Sequence, residues 1–445
     1  MAALRAGEAL VAEIVTVGDE VLRGEIVDSN KALLSARLLD LDIETHYQSS
    51  VRDAPAAMRD AFARAVSRSD VVLVSGGLGP TRDDLTAAVV AESFGRELVL
   101  DEASLETIRA FFRSVGREMS ENNAKQAYFP SGAEVLPNPI GTAPGFMLEA
   151  EGALIFCLPG VPRELARMLD EQVLPRIGRR SGSGSVVRAR LLRTFGMGES
   201  TLDAELSDVA TGVGSEDVEL GFRTSFPDNF LRPLARAKSA EEAEAKLERV
   251  VATIRERLGA LVYAEGEQTM EQVVGQLLRA QRHTIALAES CTGGLVAQRI
   301  TDVPGSSAYF LGGVVAYANE AKSALLGVPE SLLAEHGAVS DPVARAMAEG
   351  VRARFGADFG VATTGISGPD GGTPEKPVGL VYIALARPEG THAEHFEFPL
   401  DRTRHRQLTA QVALDWVRRA LLGFELVGPT LLRRQGGGPP PAGER

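Results

Sequence analysis

Asp70-Val71-Val72-Leu73-Val74-Ser75-Gly76-Gly77-Leu78-Gly79-Pro80-Thr81-Arg82-Asp83-Asp84-Leu85-Thr86 is the stretch on which the fold turns. An apolar run this short, flanked by turn residues, suits a strand covered on both faces, the situation of a central strand in a parallel sheet. The glycines break that strand into a loop, and a helical pattern follows. Strand, glycine-rich loop and helix form the unit of a doubly wound α/β fold, whose ligands sit beyond the carboxyl ends of the strands. Gly76, Gly77 and Gly79 let backbone N–H groups approach a phosphate, and the next helix start favours negative charge. Asp83 and Asp84 repel phosphate, so they call for a divalent cation, Mg²⁺ or similar, between them and a ligand, or else for a capping role. A tight turn without a ligand is the alternative for the whole loop.

Working outward, Glu13-Ile14-Val15-Thr16-Val17 is the first strand, ended by Gly18-Asp19-Glu20. Asp28-Ser29-Asn30 offers caps for a helix with Leu33, Leu34 and Leu38 on one face, and residues 56–66 form the helix leading into the Asp70 strand. Beyond the glycine loop come three more polar or Gly/Pro loops, one with Asn123 and Gln126, one with Gly141 and Thr142, and one at Pro159-Gly160. In a doubly wound sheet such loops gather into one crevice with Thr81.

Residues 10–170 resemble the molybdopterin-binding fold of molybdenum-cofactor biosynthesis proteins. The string from Gly76 to Thr86, with Asn123, Gln126 and the Gly141–Gly145 loop, is similar in particular to the N-terminal half of the competence/damage-inducible protein A family. The resemblance implies a domain over residues 1–177 that hydrolyses ADP-ribose to AMP and ribose 5-phosphate with a divalent metal. The expected nucleotide-binding residues are Gly76, Gly77, Gly79, Thr81, Asn123, Gln126, Gly141 and Thr142, and the expected metal ligands are Asp83 and Asp84.

Arg179-Arg180-Ser181-Gly182-Ser183-Gly184-Ser185 reads as a linker. Residues 186–195 form a strand, 199–206 a helix, and 221–226 with 230–236 a hairpin. Residues 241–258 carry Leu247, Val250, Val251 and Ile254 on one stripe of an amphipathic helix. This α+β module, residues 178–265, is KH-like in the resembled family. Gly196-Met197-Gly198 is not a GxxG clamp, so a spacer or dimerisation role is expected rather than RNA binding.

Thr269-Met270-Glu271-Gln272 is a capping-box signature and opens a third domain, residues 266–426. Its chemical stretch is Ala288-Glu289-Ser290-Cys291-Thr292-Gly293-Gly294, the end of a buried strand breaking into a turn and a helix. A serine there stands clear of the sheet, with helix-start N–H groups at hand for an oxyanion, those of Thr292, Gly293 and Gly294. Tyr317-Ala318-Asn319-Glu320-Ala321-Lys322 supplies an activator, a lysine amine that burial keeps neutral, with tyrosine relaying the proton. Only six of the 47 basic residues are lysines, and arginine could not replace Lys322 as a base. Against this, Ser290 could simply cap the helix, Lys322 could be a solvated helix lysine, and Cys291 is a rival nucleophile. A strand over 313–317, a helix from Ser340 and a strand over 359–363 lead to a loop with Gly365, Ser367 and Gly368. That loop can wrap a sugar phosphate or merely connect strands, 378–385 pairing with 395–398. Arg402 and Arg406 open the last helix, a poor place for the dipole and so a hint of a ligand.

Residues 268–424 are similar to the nicotinamide-nucleotide amidohydrolases, in the order Glu289 to Gly294, Tyr317 to Lys322, His336 to Ser340, Thr364 to Gly372 and Glu375 to Gly379. The resemblance implies conversion of nicotinamide mononucleotide (NMN) to the nicotinate nucleotide and ammonia. It places the nucleophile on Ser290, the activating pair on Tyr317 and Lys322, and a helping arginine on Arg402 or Arg406. Asn319 joins the substrate-binding set, and no cofactor is implied there. The fold class is thus two three-layer α/β domains joined by a KH-like domain, and the function a bifunctional salvage enzyme of pyridine nucleotides.

With 44% hydrophobic and 24% charged residues the composition is that of a soluble globular protein, and 445 residues require several cores. A net charge of −13 argues against a direct nucleic-acid partner. Two distant cysteines, Cys157 and Cys291, suit a reducing cytoplasm. A homodimer is the base-rate oligomer. The rival readings are a non-enzymatic accessory of competence or DNA-damage responses and a molybdopterin-binding protein. A disordered tail is expected over 427–445.

Overall fold

The computed structural model describes residues 10–180, 185–209 and 218–430. Part of the expected linker and residues 431–445 of the expected tail lie outside the described residues. By its internal contacts the chain divides into two compact units, residues 1–188 with 236–244, and residues 189–235 with 245–445.

The first unit is built on a six-stranded sheet in the order Glu44–Val51, Val11–Val17, Val71–Ser75, Ala153–Leu158, Gly145–Ala150, Glu134–Leu136. The first four strands run parallel, and the last two are added by antiparallel pairing, Gly145–Ala150 with Ala153–Leu158 and Glu134–Leu136 with Gly145–Ala150. Val71–Ser75 is buried at all five positions, because its side chains alternate between two helical layers. On one side Ile14 and Leu73 meet Leu34, Leu38, Leu165 and Met168. On the other Val15, Val72 and Val74 meet Met58, Phe62, Val89 and Val90. Asp28 caps the helix Ser29–Leu39 by accepting from the Lys31 N–H.

The middle domain has the antiparallel order Val218–Ser225, Asp228–Ala237, Leu192–Thr194, Val262–Glu265. Two differences from expectation appear. The single strand expected over 186–195 is two, Val186–Ala189 and Leu192–Thr194, and the hairpin strands are longer than their apolar cores. The helix Ala240–Leu258 buries Leu247, Val251 and Ile254 as its stripe requires.

The C-terminal sheet is ordered Phe310–Val315, Ile285–Glu289, Phe359–Gly365, Leu380–Arg387, Gly390–Glu397, three parallel strands followed by two antiparallel. Ile285 and Leu287 pack on one face against Val274, Leu278, Leu408 and Trp416. Ala286 and Ala288 face Leu326, Met347 and Val351 on the other. Gln272 accepts from the Thr269 N–H at 2.9 Å, as the capping-box pattern predicts. Among the described residues no helix is long and apolar enough to cross a membrane.

Candidate active sites

Ser290 follows the buried strand Ile285–Glu289 and is 9% exposed. The chain turns through Gly293 and Gly294, whose φ values of 59° and 92° lie in the left-handed region, before the helix Leu295–Thr301. Ser290 does not cap that helix. Glu289, which sequence reasoning passed over, does so from the strand. Its buried carboxylate accepts from the N–H groups of Gly294 (2.9 Å), Val296 (3.1 Å) and Ala297 (2.8 Å). The sequence signal was a helix start with glycine where Ser, Thr, Asp or Asn usually stands.

This corrects the expected oxyanion site. The Gly294 N–H serves Glu289, and the Gly293 N–H donates to the Ser290 carbonyl at 3.1 Å. Thr292 is fully buried, its hydroxyl 2.7 Å from that of Thr363. Its carbonyl accepts from Arg406 Nε at 3.1 Å and Nη2 at 2.7 Å. Arg406 therefore clamps the nucleophile turn.

Lys322 lies on the helix Asn319–Leu326 and is 1% exposed, not a solvated lysine. Burial pushes its amine below the ordinary lysine value, against the opposing influence of nearby Cys291 and Glu320. Nζ donates to the carbonyls of Ala316 (3.0 Å) and Tyr317 (3.3 Å). A neutral amine has two N–H groups and one lone pair, so with both donors engaged the lone pair is left to accept a proton.

Tyr317 departs from expectation. It is 59% exposed, and its hydroxyl accepts from Arg402 Nη2 at 2.9 Å instead of meeting the lysine amine. Arginine has no acceptor, so the phenolic hydrogen is free for another partner. Arg402 Nη1 also donates to the Gly368 carbonyl at 2.9 Å. Asn319 sits exposed at its helix start.

Ser367 is buried and engaged. Its hydroxyl lies 2.9 Å from His405 Nδ1, and His405 Nε2 lies 3.1 Å from the Gly379 carbonyl. A carbonyl only accepts, so Nε2 carries the proton and Ser367 donates to Nδ1. Burial holds His405 below the usual histidine range, which keeps it neutral. Ser367 thus braces the loop instead of presenting itself to a ligand, and Gly365 closes the strand beside it. Cys291 is 4% exposed, and burial pushes its thiol up to about 12, which removes it as a nucleophile.

In the first unit a cavity of about 480 Å³ opens at the carboxyl ends of the parallel strands. Gly76, Gly77, Gly79, Gln126 and Thr142 line it; Thr81, Asn123 and Gly141 do not. Asn123 turns instead to Ser120 Oγ at 2.7 Å, and the Gly141 N–H donates to Asn138 Oδ1 at 3.0 Å. Six carboxylates border the cavity, those of Glu20, Asp28, Asp53, Asp83, Asp84 and Glu164. Four of these went unnoticed as site residues because they come from other segments of the chain, Glu20 and Glu164 from short helices. Burial and the neighbouring Glu20, Asp19 and Asp83 push the Asp53 carboxyl above its usual range. Buried Asn30 ties the cavity floor together by donating to Ser75 Oγ (2.9 Å) and the Gly160 carbonyl (2.8 Å).

Asp84 Oδ2 accepts from the Thr81 N–H at 2.8 Å and from the Thr81 hydroxyl, while Asp83 is exposed. Among the described residues no group of three or more His, Cys, Asp or Glu is disposed to hold a metal. The donor set nevertheless fits Mg²⁺, which takes one or two carboxylates, phosphate oxygens and water more readily than an all-protein cage.

The fold defines a multidomain α/β protein, with candidate sites at the carboxyl ends of the parallel strands in two mixed sheets. The chain matches the families described as probable molybdopterin binding domain over residues 13–179, damage-inducible protein CinA KH domain over 189–264, and CinA C-terminal domain over 267–421. It is 46% identical over 409 residues to a CinA-like protein of Geobacter sulfurreducens, covering 92% of this chain and 98% of the relative. It is 48% identical over 427 residues to a putative competence-damage inducible protein of Symbiobacterium thermophilum, covering 93% of this chain and all of the relative. A solved structure of a competence/damage inducible protein from Agrobacterium tumefaciens is 40% identical, covering 34% of this chain and 93% of that one, at a TM-score of 0.33. The chain belongs to the CinA family.

Proposed function

We propose that the chain is a bifunctional nucleotide hydrolase, whose C-terminal domain converts NMN to nicotinate mononucleotide and ammonia. The buried amine of Lys322 carries this reading, because its two carbonyl partners leave only the lone pair for chemistry. In this mechanism Ser290 Oγ attacks the carboxamide carbon while Lys322 takes the hydroxyl proton. The lysine then protonates the departing ammonia, and water releases the acid from the acyl-serine by the same proton path in reverse. With the Gly293 and Gly294 donors engaged, the free phenolic hydrogen of Tyr317, held in place by Arg402, is the donor suited to the oxyanion. The unused N–H groups of Arg402 and Arg406 suit the nucleotide phosphate. Ammonia release from NMN tests the reading. Ser290→Ala and Lys322→Ala should abolish it in folded protein and Cys291→Ala should keep it; wild-type protein without activity would overturn it.

For the first domain, the proposed reaction is hydrolysis of ADP-ribose to AMP and ribose 5-phosphate. A diphosphate can enter a cavity bordered by six carboxylates only with its charge offset, which supports a divalent cation held by Asp83 and Asp84. When bound, that cation would neutralise the diphosphate and polarise the bond to be broken. The Gly76–Gly79 backbone would orient the phosphates. AMP release with added Mg²⁺, lost in Asp83→Asn, is the expected result. Pterin fluorescence in purified protein together with no AMP release would favour a molybdopterin ligand instead.

A further inference from the structure

The middle domain and the C-terminal domain share one core. Phe195, Tyr263 and Ala264 belong to the same buried cluster as Ile285, Leu408 and Trp416, with Phe226 packed against it. The turn at Phe226-Pro227-Asp228, where the strand Val218–Ser225 passes into Asp228–Ala237, makes one polar part of this contact, beside Arg418 Nη2 donating to the Ala260 carbonyl at 2.6 Å. Asp228 Oδ1 accepts from Gln411 Nε2 at 2.6 Å, and Oδ2 accepts from the Tyr263 hydroxyl at 2.7 Å. Gln411 is fully buried on the helix Arg402–Leu422, and its Oε1 accepts from Arg299 at 2.6 Å. Arg299 is in turn paired with Glu271 at 2.6 Å. Seven residues earlier on the same helix, Arg404 stands 5.7 Å from the centre of the Phe226 ring. The helix is therefore gripped on both sides of Arg406, the residue that clamps the nucleophile turn, and about half a turn from Arg402, which holds Tyr317.

We propose that this hairpin turn, through Asp228 and Phe226, is a positioning element for the amidase site, setting the last helix so that Arg402 and Arg406 meet Tyr317 and Thr292. The proposal rests on the amidase reading above. A helix moves nearly as a rigid rod, so a grip at 404 and 411 is transmitted to 402 and 406. Nothing in the sequence marks these residues, since Asp228 lies 183 positions from its partner Gln411.

The same grip is sensitive to pH. Asp228 faces Tyr263 and Arg193 from its own sheet, Arg299 and Glu271 from two helices, and neutral Gln411. Burial pushes its carboxyl up to about 6. A raised folded value means that the stabilisation is complete below the ordinary value of 3.8 and is lost as pH rises through about 6. Asp228→Asn is neutral at every pH and removes that dependence.

The test uses the full chain with Asp228→Ala, Asp228→Asn and Phe226→Leu. It follows NMN kinetics, amide hydrogen exchange over residues 401–411, and Tm between pH 5 and 8. For Asp228→Ala a kcat/KM about tenfold lower is expected, the scale of one lost charge-assisted hydrogen bond, mainly through KM and with faster exchange at the helix start. Phe226→Leu should show the same pattern more weakly. Asp228→Asn should rescue activity and show a Tm advantage over wild type at pH 8 that is smaller at pH 5, inside the window between 3.8 and about 6. Unchanged exchange and kinetics in Asp228→Ala and Phe226→Leu would overturn the proposal. If wild-type protein releases no ammonia, the amidase reading fails, and unchanged exchange would then show separately that the grip is absent.

Discussion

A lysine that is 1% exposed and paired with no carboxylate in its immediate hydrogen bonds carries a desolvation cost that only its neutral form escapes. Because burial lowers its value from 10.5, ammonia release should rise with pH along a limb centred below 10.5. Lys322→Arg should be inactive at every pH, since guanidinium is never a base. A pH–rate profile of the wild type, with the variant as control, checks both statements. Glu289 offers a second prediction. Glu289→Gln should destabilise the protein by about 1–3 kcal/mol, since an amide offers one acceptor where three N–H groups need partners. Urea unfolding would measure that loss, and kcat should fall with it because Ser290 is the next residue. Ser290, Lys322 and the arginines were legible as residue types in a pattern. Their pairing was not, because Tyr317 and Arg402 are 85 residues apart and meet only in the folded chain.

Among the elements, the glycine loop after Val71–Ser75 is the most constrained. Gly76 has φ 104°, and a Cβ there would stand 2.2 Å from the Val17 carbonyl oxygen, backbone that cannot swing aside. We predict that Gly76→Ala costs about 2–4 kcal/mol from strain and overpacking, measured by urea unfolding, with loss of the first-domain activity. A buried strand with an almost unbroken apolar run, such as Val71–Ser75, could be read from the chain because both faces are covered. The strand expected over 313–317 is in fact Phe310–Val315. Phe310 and Gly312 fall outside the expected range, yet parallel pairing with Ile285 and Ala286 draws them into the sheet. The expected Gly294 donor is spent for a related reason: helix-start N–H groups are free only until some side chain caps them, and here the cap comes from the strand before.

Over the whole molecule, the two sites lie in separate compact units, each with its own core. Asp83→Asn should therefore leave ammonia release within about twofold of wild type, and Ser290→Ala should leave AMP release equally untouched. Parallel assays on the two variants decide it; cross-inactivation would show that the units do not act independently.

The sequence by itself determined the layered α/β class, the family, the strand-to-helix turn at Ser290 and the glycine loop at Gly76, because hydrophobic period, glycine placement and short motifs are local properties of the chain. Only the tertiary structure decided which polar groups are already spent and which are free. It engaged the Gly293 and Gly294 donors, turned Tyr317 toward Arg402, braced Ser367 on His405, buried Cys291 and gathered six carboxylates around one cavity. These are matters of partnership between distant segments, and a hydrogen bond or a desolvated charge depends on what folding brings within a few ångströms.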